Sequence, residues 1–298
     1  MRTLVVDMTS TIKNDFSLPL IHQGKVRDIY DIDKENLLIV ASDRLSAFDV
    51  VFDQRIQNKG KILTTIANYW FKKTDHIIQN HLTGTRIDEV LSSQEAKALE
   101  GRAIIVKKLR PLPVEAVVRG YIIGSGWKEY LSLNSVCGIE LPPGLQLAEK
   151  LQKPIYTPSS KAPLGEHDAN ISFAETETLV GASLACQIKN ISLKIYDYAY
   201  KHAISRGIII ADTKFEFGLD SNNQLTLMDE ALTPDSSRFW SLSEHVPGTN
   251  PKSFDKQIIR DYLEALKWNK LPPAPAIPED IMAKAANKYE EIQSILCN

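Results

Sequence analysis

The stretch IADTKFEFGL (residues 210–219) places two charged residues inside an apolar run that has the pattern of a β-strand. Lys214 and Glu216 alternate with two phenylalanines, so both charges lie on one face of the predicted strand. A second apolar run, LTLMDEALTPDSSRFW (225–240), contains Asp229. An ion in a protein core costs several kcal/mol unless it is paired or binds a metal. These charges therefore either neutralise one another or face a ligand.

Both interpretations of the charges remain open from the two strands alone. Two carboxylates on neighbouring strands, with a lysine beside them, suit a nucleotide-bound Mg²⁺ and its phosphates. Mg²⁺ takes one or two protein carboxylates and completes its shell with phosphate oxygens and water. The alternative is an ordinary cross-strand salt bridge.

Length, composition and charge indicate a globular protein with no global basic field. The 298 residues suit two lobes, or one large α/β body with an extension. The net charge of −2 predicts no nucleic-acid partner and no anionic membrane surface. We see no signal peptide and no apolar run of about 18 residues, so we expect a cytoplasmic protein without membrane association. Three widely spaced cysteines predict neither a disulfide framework nor a zinc site.

The predicted elements form a strand-rich first part, an irregular middle and a mixed last part. Strands are predicted at 21–30 (two, around a glycine turn), 36–43, 50–56, 103–109, 114–122, 208–212, 214–219 and 224–230. Helices are predicted at 61–73, 173–180, 182–207, 253–268 and 279–296. The segment 131–180 is rich in proline and is otherwise predicted to be irregular, and Ser253 is the predicted N-cap of its helix.

Two segments of the first part carry polar groups that could face a ligand. In GKVRDIY (24–30), a glycine lets backbone N–H groups approach phosphate, and Lys25 and Arg27 add charge. A plain hairpin with surface charges has the same pattern. In ASDRLSAFD (41–49), polar residues follow a buried strand, which is typical of a site but also of a capped turn.

Two later segments raise the same question. VVRGYIIGSGWKEY (117–130) places Arg119 and Ser125 among three glycines, which suits an anion that needs a close backbone. The alternative is a glycine-rich loop whose arginine pairs with a carboxylate. In EHD (166–168), the histidine beside Asp168 is more often a structural hydrogen-bonded group than a catalyst.

Together these segments resemble the SAICAR synthetase family. The matching text, in the family's order over about residues 20–265, is GKVRDIY, ASDRLSAFD, PVEAVVRGYIIGSGWKEY, GEHDANIS, IADTKFEFGL, DEALTPDSSRFW and DKQIIRDYL. The resemblance implies an α+β, two-lobed fold. Residues 1–115 would form a β-rich nucleotide-binding lobe, distantly kinase-like, and residues 116–298 an α/β substrate and catalytic lobe. Segment 127–165 resembles the insertion of the longer, yeast-like members.

The activity implied by the resemblance is that of an ATP-dependent ligase of purine biosynthesis. It would join L-aspartate to the carboxylate of carboxyaminoimidazole ribotide, through an acyl phosphate, with ATP and Mg²⁺ and as a monomer. Two other classes stay open from the residues. A kinase-like phosphotransferase would stop at the phosphorylated product, and a non-catalytic nucleotide-binding protein would turn nothing over.

The resemblance also assigns roles to residues, motif by motif. The nucleotide is expected at Gly24, Lys25, Val26, Arg27, Glu115 and Lys214. The catalytic residues are expected to be Lys214, Glu216 and Asp229, the last two as Mg²⁺ ligands. The substrate is expected at Arg119, Ser125, Arg238, Ser46, Asp49 and Asp168.

Overall fold

The computed structural model describes residues 16–161 and 169–298, which combine strands and helices in an α+β arrangement. The strands are β1 Leu20–Gln23, β2 Arg27–Asp31, β3 Asn36–Ala41, β4 Arg44–Ala47, β5 Val50–Arg55, β6 Ala103–Lys107, β7 Arg110–Tyr121, β8 Ser135–Val136, β9 Ile139–Glu140, β10 Lys150–Tyr156, β11 Ser159–Ser160, β12 Ala169–Asn170, β13 Ile208–Leu219, β14 Leu225–Met228 and β15 Ser237–Ser241. The helices are α1 Lys59–Lys73, α2 Ser93–Ala98, α3 Gly124–Leu133, α4 Phe173–Val180, α5 Ala182–Ile204, α6 Gln257–Ala265 and α7 Glu279–Cys297. The predicted α+β class is confirmed.

The first sheet is a four-stranded antiparallel sheet in the order β1-β2-β3-β6. Its first two strands form the predicted hairpin around Gly24, and the predicted strands at 36–43 and 103–109 are its other members. A separate hairpin of β4 and β5 stands beside it, and β4 was not predicted.

The second sheet is built on β7 and β13, two twelve-residue antiparallel strands. β10 and β11 pair with β7, β14 and β15 pair with β13, and β12 pairs with β11. The predicted strands 208–212 and 214–219 are one continuous strand, β13. The RPLP segment (110–113) belongs to β7 rather than to a connector. The β7–β13 ladder is irregular opposite this segment, between Glu216 and Gly218, and prolines within sheets are found at such bulges.

The middle of the chain contains more regular structure than its prolines indicate. α3 and the strands β8 to β11 lie between residues 124 and 160, and none of them was predicted. The one element that was predicted within the proline-rich segment 131–180 is α4. The predicted cap at Ser253 is wrong, because α6 begins at Gln257 with Lys256 as its N-cap residue. Ser253 instead donates its hydroxyl to Phe239 O at 3.2 Å.

The main core packs α1, α5 and α7 against the second sheet. Its largest fully buried side chains include Trp70, Phe71, Phe215, Phe217 and Tyr289.

Among the described residues, no helix has the length and apolar character that a bilayer span requires. The predicted division at residue 115 falls within β7 and stays a prediction, as does the identity of segment 127–165 as an insertion.

Candidate active site

A cleft of about 1210 Å³ lies between the hairpins of the first sheet and the face of the second sheet that carries Lys214. Among the described residues, it collects every predicted site residue except Arg119. Asp168, the remaining predicted residue, lies outside the described residues. The predicted residues that line the cleft are Gly24, Lys25, Val26, Arg27, Ser46, Asp49, Glu115, Ser125, Lys214, Glu216, Asp229 and Arg238.

The glycine turn at one side of the cleft is held in shape by Arg44, a polar residue of the ASDRLSAFD segment to which the sequence assigned no role. Gly24 N donates to Arg27 O at 2.8 Å, and a Cβ at Gly24 would lie 3.0 Å from that oxygen. The Arg44 guanidinium donates to Gly24 O at 3.0 Å and to Lys25 O at 3.1 Å. Arg44 also grips the Asp28 carboxylate with two hydrogen bonds of 2.8 and 2.9 Å. The turn is therefore preorganised, with its carbonyls drawn away from the cleft.

Lys25 stands at the mouth of the cleft. Its ammonium pairs with Asp49, and both side chains are about half exposed. Asp49 follows Phe48 in the two-residue turn between β4 and β5, and both residues have positive φ (63° and 51°). Such a backbone is typical of a type I′ hairpin turn. The hairpin therefore holds a carboxylate beside the cation expected to bind phosphate.

The charges of the opening stretch form a ladder across β7 and β13. Lys214 Nζ lies 2.5 Å from Glu115 Oε1 and 3.2 Å from Glu216 Oε1. Lys161, which the sequence analysis missed, lies 2.5 Å from Glu216 Oε2. Burial alone would raise the pKa of Glu216, but Lys214 and Lys161 outweigh it and lower that pKa to about 2. The cross-strand salt bridge is thus present, and it lies in the cleft.

Asp229 directly follows β14, has a strained backbone conformation and pairs with Arg27. Its φ is 68°, a left-handed value that is uncommon outside glycine. Arg27 Nη2 donates to Asp229 Oδ2 at 2.6 Å and to Glu230 Oε1 at 3.1 Å. Burial raises the pKa of Asp229 to about 6, Arg27 opposes this, and the neighbouring charges of Glu216 and Glu230 add to the rise.

The two carboxylates fit a magnesium ion that is carried by a nucleotide. Over residues 16–161 and 169–298, no three His, Cys, Asp or Glu side chains are grouped so that they could hold a metal ion. Glu216 pairs with Met228 across the ladder, so it lies next to Asp229, and its charge contributes to the raised pKa of Asp229. Two neighbouring carboxylates with excess negative charge are the protein share of a Mg²⁺ shell that phosphate and water complete.

At the other end of the cleft, two arginines share one buried aspartate. Arg119 donates to Thr157 Oγ1 at 3.0 Å, to Asp212 Oδ2 at 2.9 Å and to Ser125 Oγ at 2.9 Å. Its side chain is only 4% exposed, whereas that of Arg238, 2.5 Å from Asp212 Oδ2, is 30% exposed. The arginine–carboxylate pair considered for Arg119 is therefore present. Arg119 lies behind Ser125, and Arg238 faces the cleft.

The glycines around Ser125 make room for these guanidinium groups. A Cβ at Gly124 would lie 2.7 Å from Arg238 Nη2, and one at Gly126 would lie 3.0 Å from Arg119 Nε. The stretch is not a loop, because α3 begins at Gly124. The cleft therefore receives the first turn of a helix, whose unpaired N–H groups favour an anion.

Several lining residues were not among the predicted site residues. They are the acidic Glu230 and Asp235 and the basic Lys161, Lys256 and Arg260. Lys256 and Arg260 lie four residues apart at the start of α6, a spacing that could have indicated a shared face. The others come together only through contacts between distant parts of the chain.

The fold and the cleft define an α+β protein with cationic side chains at two places in one cleft, one at the glycine turn and one at the start of α3. The family model of SAICAR synthetase matches residues 20–275. The phosphoribosylaminoimidazole-succinocarboxamide synthase of Chromobacterium violaceum is 56% identical over 275 residues, covering 92% of this chain and 97% of that protein. The enzyme of the same name from Neisseria meningitidis serogroup B is 55% identical over 283 residues, covering 95% and 99%. The chain belongs to the SAICAR synthetase family and is a ligase, as predicted.

Solved structures agree with this assignment. The SAICAR synthase of Saccharomyces cerevisiae, complexed with SAICAR, superposes with a TM-score of 0.88 at 41% identity, covering 97% of this chain and 98% of that one. A SAICAR synthetase in complex with ADP gives a TM-score of 0.68 at 26% identity, covering 92% and 96%. The predicted family fold is confirmed.

Proposed function

We propose that the protein joins L-aspartate to the carboxylate of carboxyaminoimidazole ribotide, with ATP, to give SAICAR, ADP and phosphate in purine biosynthesis. The names of the relatives and the SAICAR and ADP of two solved neighbours support this reaction. The observation that carries the proposal is the presence of two separate sets of cationic or hydrogen-bond-donating side chains in one cleft. Lys25, Arg27 and Lys214 stand on one side, and Ser125 and Arg238 on the other.

The reaction needs an activated carboxylate, because a carboxylate and an amine do not condense readily in water. A carboxylate oxygen of the ribotide attacks the γ-phosphorus of ATP, and ADP leaves. The aspartate amine then attacks the acyl carbon, loses a proton, and expels phosphate together with that carboxylate oxygen. Such chemistry asks the protein mainly for positioning and for neutralisation of negative charge.

On the nucleotide side, we assign the phosphates to the glycine turn at Gly24, with Lys25 and Arg27 as cations. Glu216 and Asp229 would hold Mg²⁺, which when bound neutralises charge on the transferring phosphoryl group. Lys214, paired with Glu115 and Glu216, stays charged because these carboxylates outweigh its burial and raise its pKa. Its ammonium is therefore available between phosphate and the reacting carboxylate.

On the ribotide side, we assign the phosphate to the first turn of α3, with Ser125 and Arg238 as side-chain donors. Arg119 would hold Ser125 from behind, through the 2.9 Å hydrogen bond. A phosphate there stays apart from the ATP phosphates, which avoids repulsion between the two anions. Ser46, Asp49 and Asp168 remain predicted residues of the substrate pocket.

Aspartate brings two carboxylates and needs cations that the other substrates leave unused. Lys256 and Arg260 line the cleft, and within residues 16–161 and 169–298 their nearest acidic groups are 3.6 Å away for Lys256 (Asp235) and 3.9 Å away for Arg260 (Asp255). We assign aspartate to these cations. Because all the residues assigned here come from one chain, we propose that a monomer is sufficient for activity.

Release of inorganic phosphate tests the function, with ATP, Mg²⁺, ribotide and aspartate supplied together and then omitted one at a time. We expect release only when all four are present. Release that persists without aspartate would instead indicate a phosphotransferase whose product hydrolyses. Binding of ATP with no release under any condition would indicate a binding protein.

Replacing Lys25 by alanine is expected to weaken ATP binding and to leave ribotide binding nearly unchanged. The half-exposed ammonium reaches phosphate as a point charge, so we expect a loss of about 1 kcal/mol or somewhat more. Calorimetric titration of each ligand into the variant measures this. Lys34→Ala, in the turn between β2 and β3, removes the same charge away from the cleft and serves as the matched control. A weaker ribotide site beside a normal ATP site would refute the assignment.

Binding of Mg²⁺ with ATP is expected to weaken as the pH falls through about 6. The pKa of Asp229 is raised to about 6, so below that pH its carboxylate is neutral and loses its attraction for a cation. Glu216, with a pKa of about 2, stays ionised throughout. We expect about a tenfold loss of affinity per pH unit below 6, as for one proton.

The pH dependence has two controls. In Asp229→Asn, binding should be weak and should keep only the pH dependence that the ATP phosphate itself brings between about pH 5 and 8, since the titrating group of the protein is gone. His22 also lines the cleft, and His22→Gln should retain the wild-type dependence. A flat profile in the wild type would contradict the assignment of Asp229.

A further inference from the structure

Asp235 faces the cleft, but its carboxylate is held from behind by buried groups. Lys59 Nζ lies 2.6 Å from Asp235 Oδ2, and the Tyr289 hydroxyl donates to Asp235 Oδ1 at 2.7 Å. Lys59 and Tyr289 are fully buried, and the Asp235 side chain is 5% exposed. Both carboxylate oxygens are therefore engaged by side chains of α1 and α7, and Asp235 is poorly placed to bind a substrate.

Asp235 lies within a tight turn, residues 233–237, that joins two parts of the proposed site. Ser237 N donates to Thr233 O at 2.8 Å, and Thr233 N donates to Ser236 Oγ at 3.1 Å. At one end of the turn, the Thr233 hydroxyl donates to Glu230, which shares Arg27 with Asp229. At the other end, Arg238 follows directly. A shift of the 233–237 turn would therefore move both ends.

Lys59 also contacts Arg44, the residue that holds the glycine turn in shape. Lys59 Nζ donates to Arg44 O at 3.2 Å, and the Arg44 side chain holds Gly24 O and Lys25 O. One buried ammonium thus connects the 233–237 turn with the residue that shapes the nucleotide side of the cleft.

Stability does not account for this arrangement. Lys59 is the first residue of α1, where the helix dipole disfavours a cation, and burial lowers its pKa despite the charge of Asp235. Buried ion pairs can often be replaced by uncharged residues of similar volume with no loss of stability. What the pair supplies is a fixed position for the carboxylate.

We propose that Asp235 is a positioning residue: fixed by Lys59 and Tyr289, it holds the 233–237 turn so that Glu230 and Arg238 are aligned for the reaction. This inference rests on the proposed function. It makes α7 a support of the active site, although no residue of that helix lines the cleft among the described residues.

Tyr289→Phe tests the inference, because it removes the hydroxyl and keeps the buried ring. We expect kcat to fall about tenfold, less than the 10²-fold that a 1 Å misplacement can cost, with each KM changed by less than about threefold. The matched control is Tyr130→Phe, which removes a buried hydroxyl that donates to Pro142 O at 2.7 Å outside the cleft. The control should keep the wild-type kcat, and both variants should melt at similar temperatures.

A second variant, Lys59→Met with Asp235→Asn, removes both charges of the buried ion pair; it also removes the more distant carboxylate, 3.6 Å away, that Lys256 faces. We expect an unchanged or higher Tm together with a kcat at least about tenfold lower. The inference is overturned if both variants keep the wild-type kcat, or if kcat falls only in proportion to the unfolded fraction. Wild-type protein assayed alongside separates this result from a failure of the proposed function, in which the wild type itself would release no phosphate.

Discussion

Glu216→Gln and Asp229→Asn are each expected to abolish most turnover, with kcat lowered by about 10²–10³-fold, or about 3–4 kcal/mol of transition-state stabilisation. Both carboxylates line the cleft, Glu216 on β13 and Asp229 directly after Met228, the β14 residue that pairs with Glu216, and a nucleotide-bound Mg²⁺ would need them there. Single-turnover measurement of ADP formation at saturating ATP and ribotide gives the rate. Glu100→Gln, on the surface away from the cleft, removes the same charge and should leave the rate unchanged.

The two variants should differ in stability, which separates a catalytic effect from unfolding. The folded protein raises the pKa of Asp229 and so favours its neutral form, hence Asp229→Asn should keep or increase the Tm. It lowers the pKa of Glu216 and so favours its ionised form, hence Glu216→Gln should lower the Tm. Near-normal rates of both variants at saturating Mg²⁺ would show that these carboxylates are structural.

Arg119→Lys is expected to weaken ribotide binding by about 1–3 kcal/mol although it keeps the positive charge. A lysine cannot reproduce the three directed hydrogen bonds to Thr157, Asp212 and Ser125. We also expect a loss of folding stability of about 1–3 kcal/mol, since buried polar partners are left unsatisfied. ATP affinity should stay nearly the same. Calorimetry with ribotide and with ATP, and denaturant unfolding, measure the three quantities.

Two comparisons show whether Arg119 acts on the phosphate group. Arg102→Lys alters another partly buried arginine, 3.0 Å from Asp43 and outside the cleft, and should leave ribotide binding unchanged. The dephosphorylated riboside should bind the wild type weakly and be almost indifferent to Arg119→Lys. If Arg119 acts through Ser125, the effects of Arg119→Lys and Ser125→Ala will be non-additive. Equal losses for riboside and ribotide would place the phosphate elsewhere.

The sequence was most informative where a local pattern carried the chemistry. The two-residue spacing of Lys214 and Glu216 predicted both a strand and a shared face, and the structure confirms both in β13. The order of the short motifs identified the family. Most predicted site residues lie in one cleft, because residues of those motifs line it. The same spacing did not distinguish a salt bridge from a ligand site, because the structure has both features: the side chains form ion pairs, and they also line the cleft.

Other features were hidden because they depend on contacts between distant residues. Lys161 and Glu216 are 55 positions apart, and nothing near either residue indicates their ion pair. Asp235 is held by Lys59 and Tyr289, which come from two helices at opposite ends of the chain. Local signals also misled: prolines concealed the start of β7, and the glycines around Ser125, needed to admit two guanidinium groups, concealed the start of α3.

We propose that the cleft converts the ribotide carboxylate into an acyl phosphate, which aspartate then attacks. Ribotide labelled with ¹⁸O at both carboxylate oxygens tests this step, through mass spectrometry of the phosphate released in the complete reaction. We expect one labelled oxygen in each phosphate, because the oxygen that attacks ATP leaves with the phosphorus when the amide forms. Unlabelled phosphate, formed alongside SAICAR, would rule the acyl phosphate out.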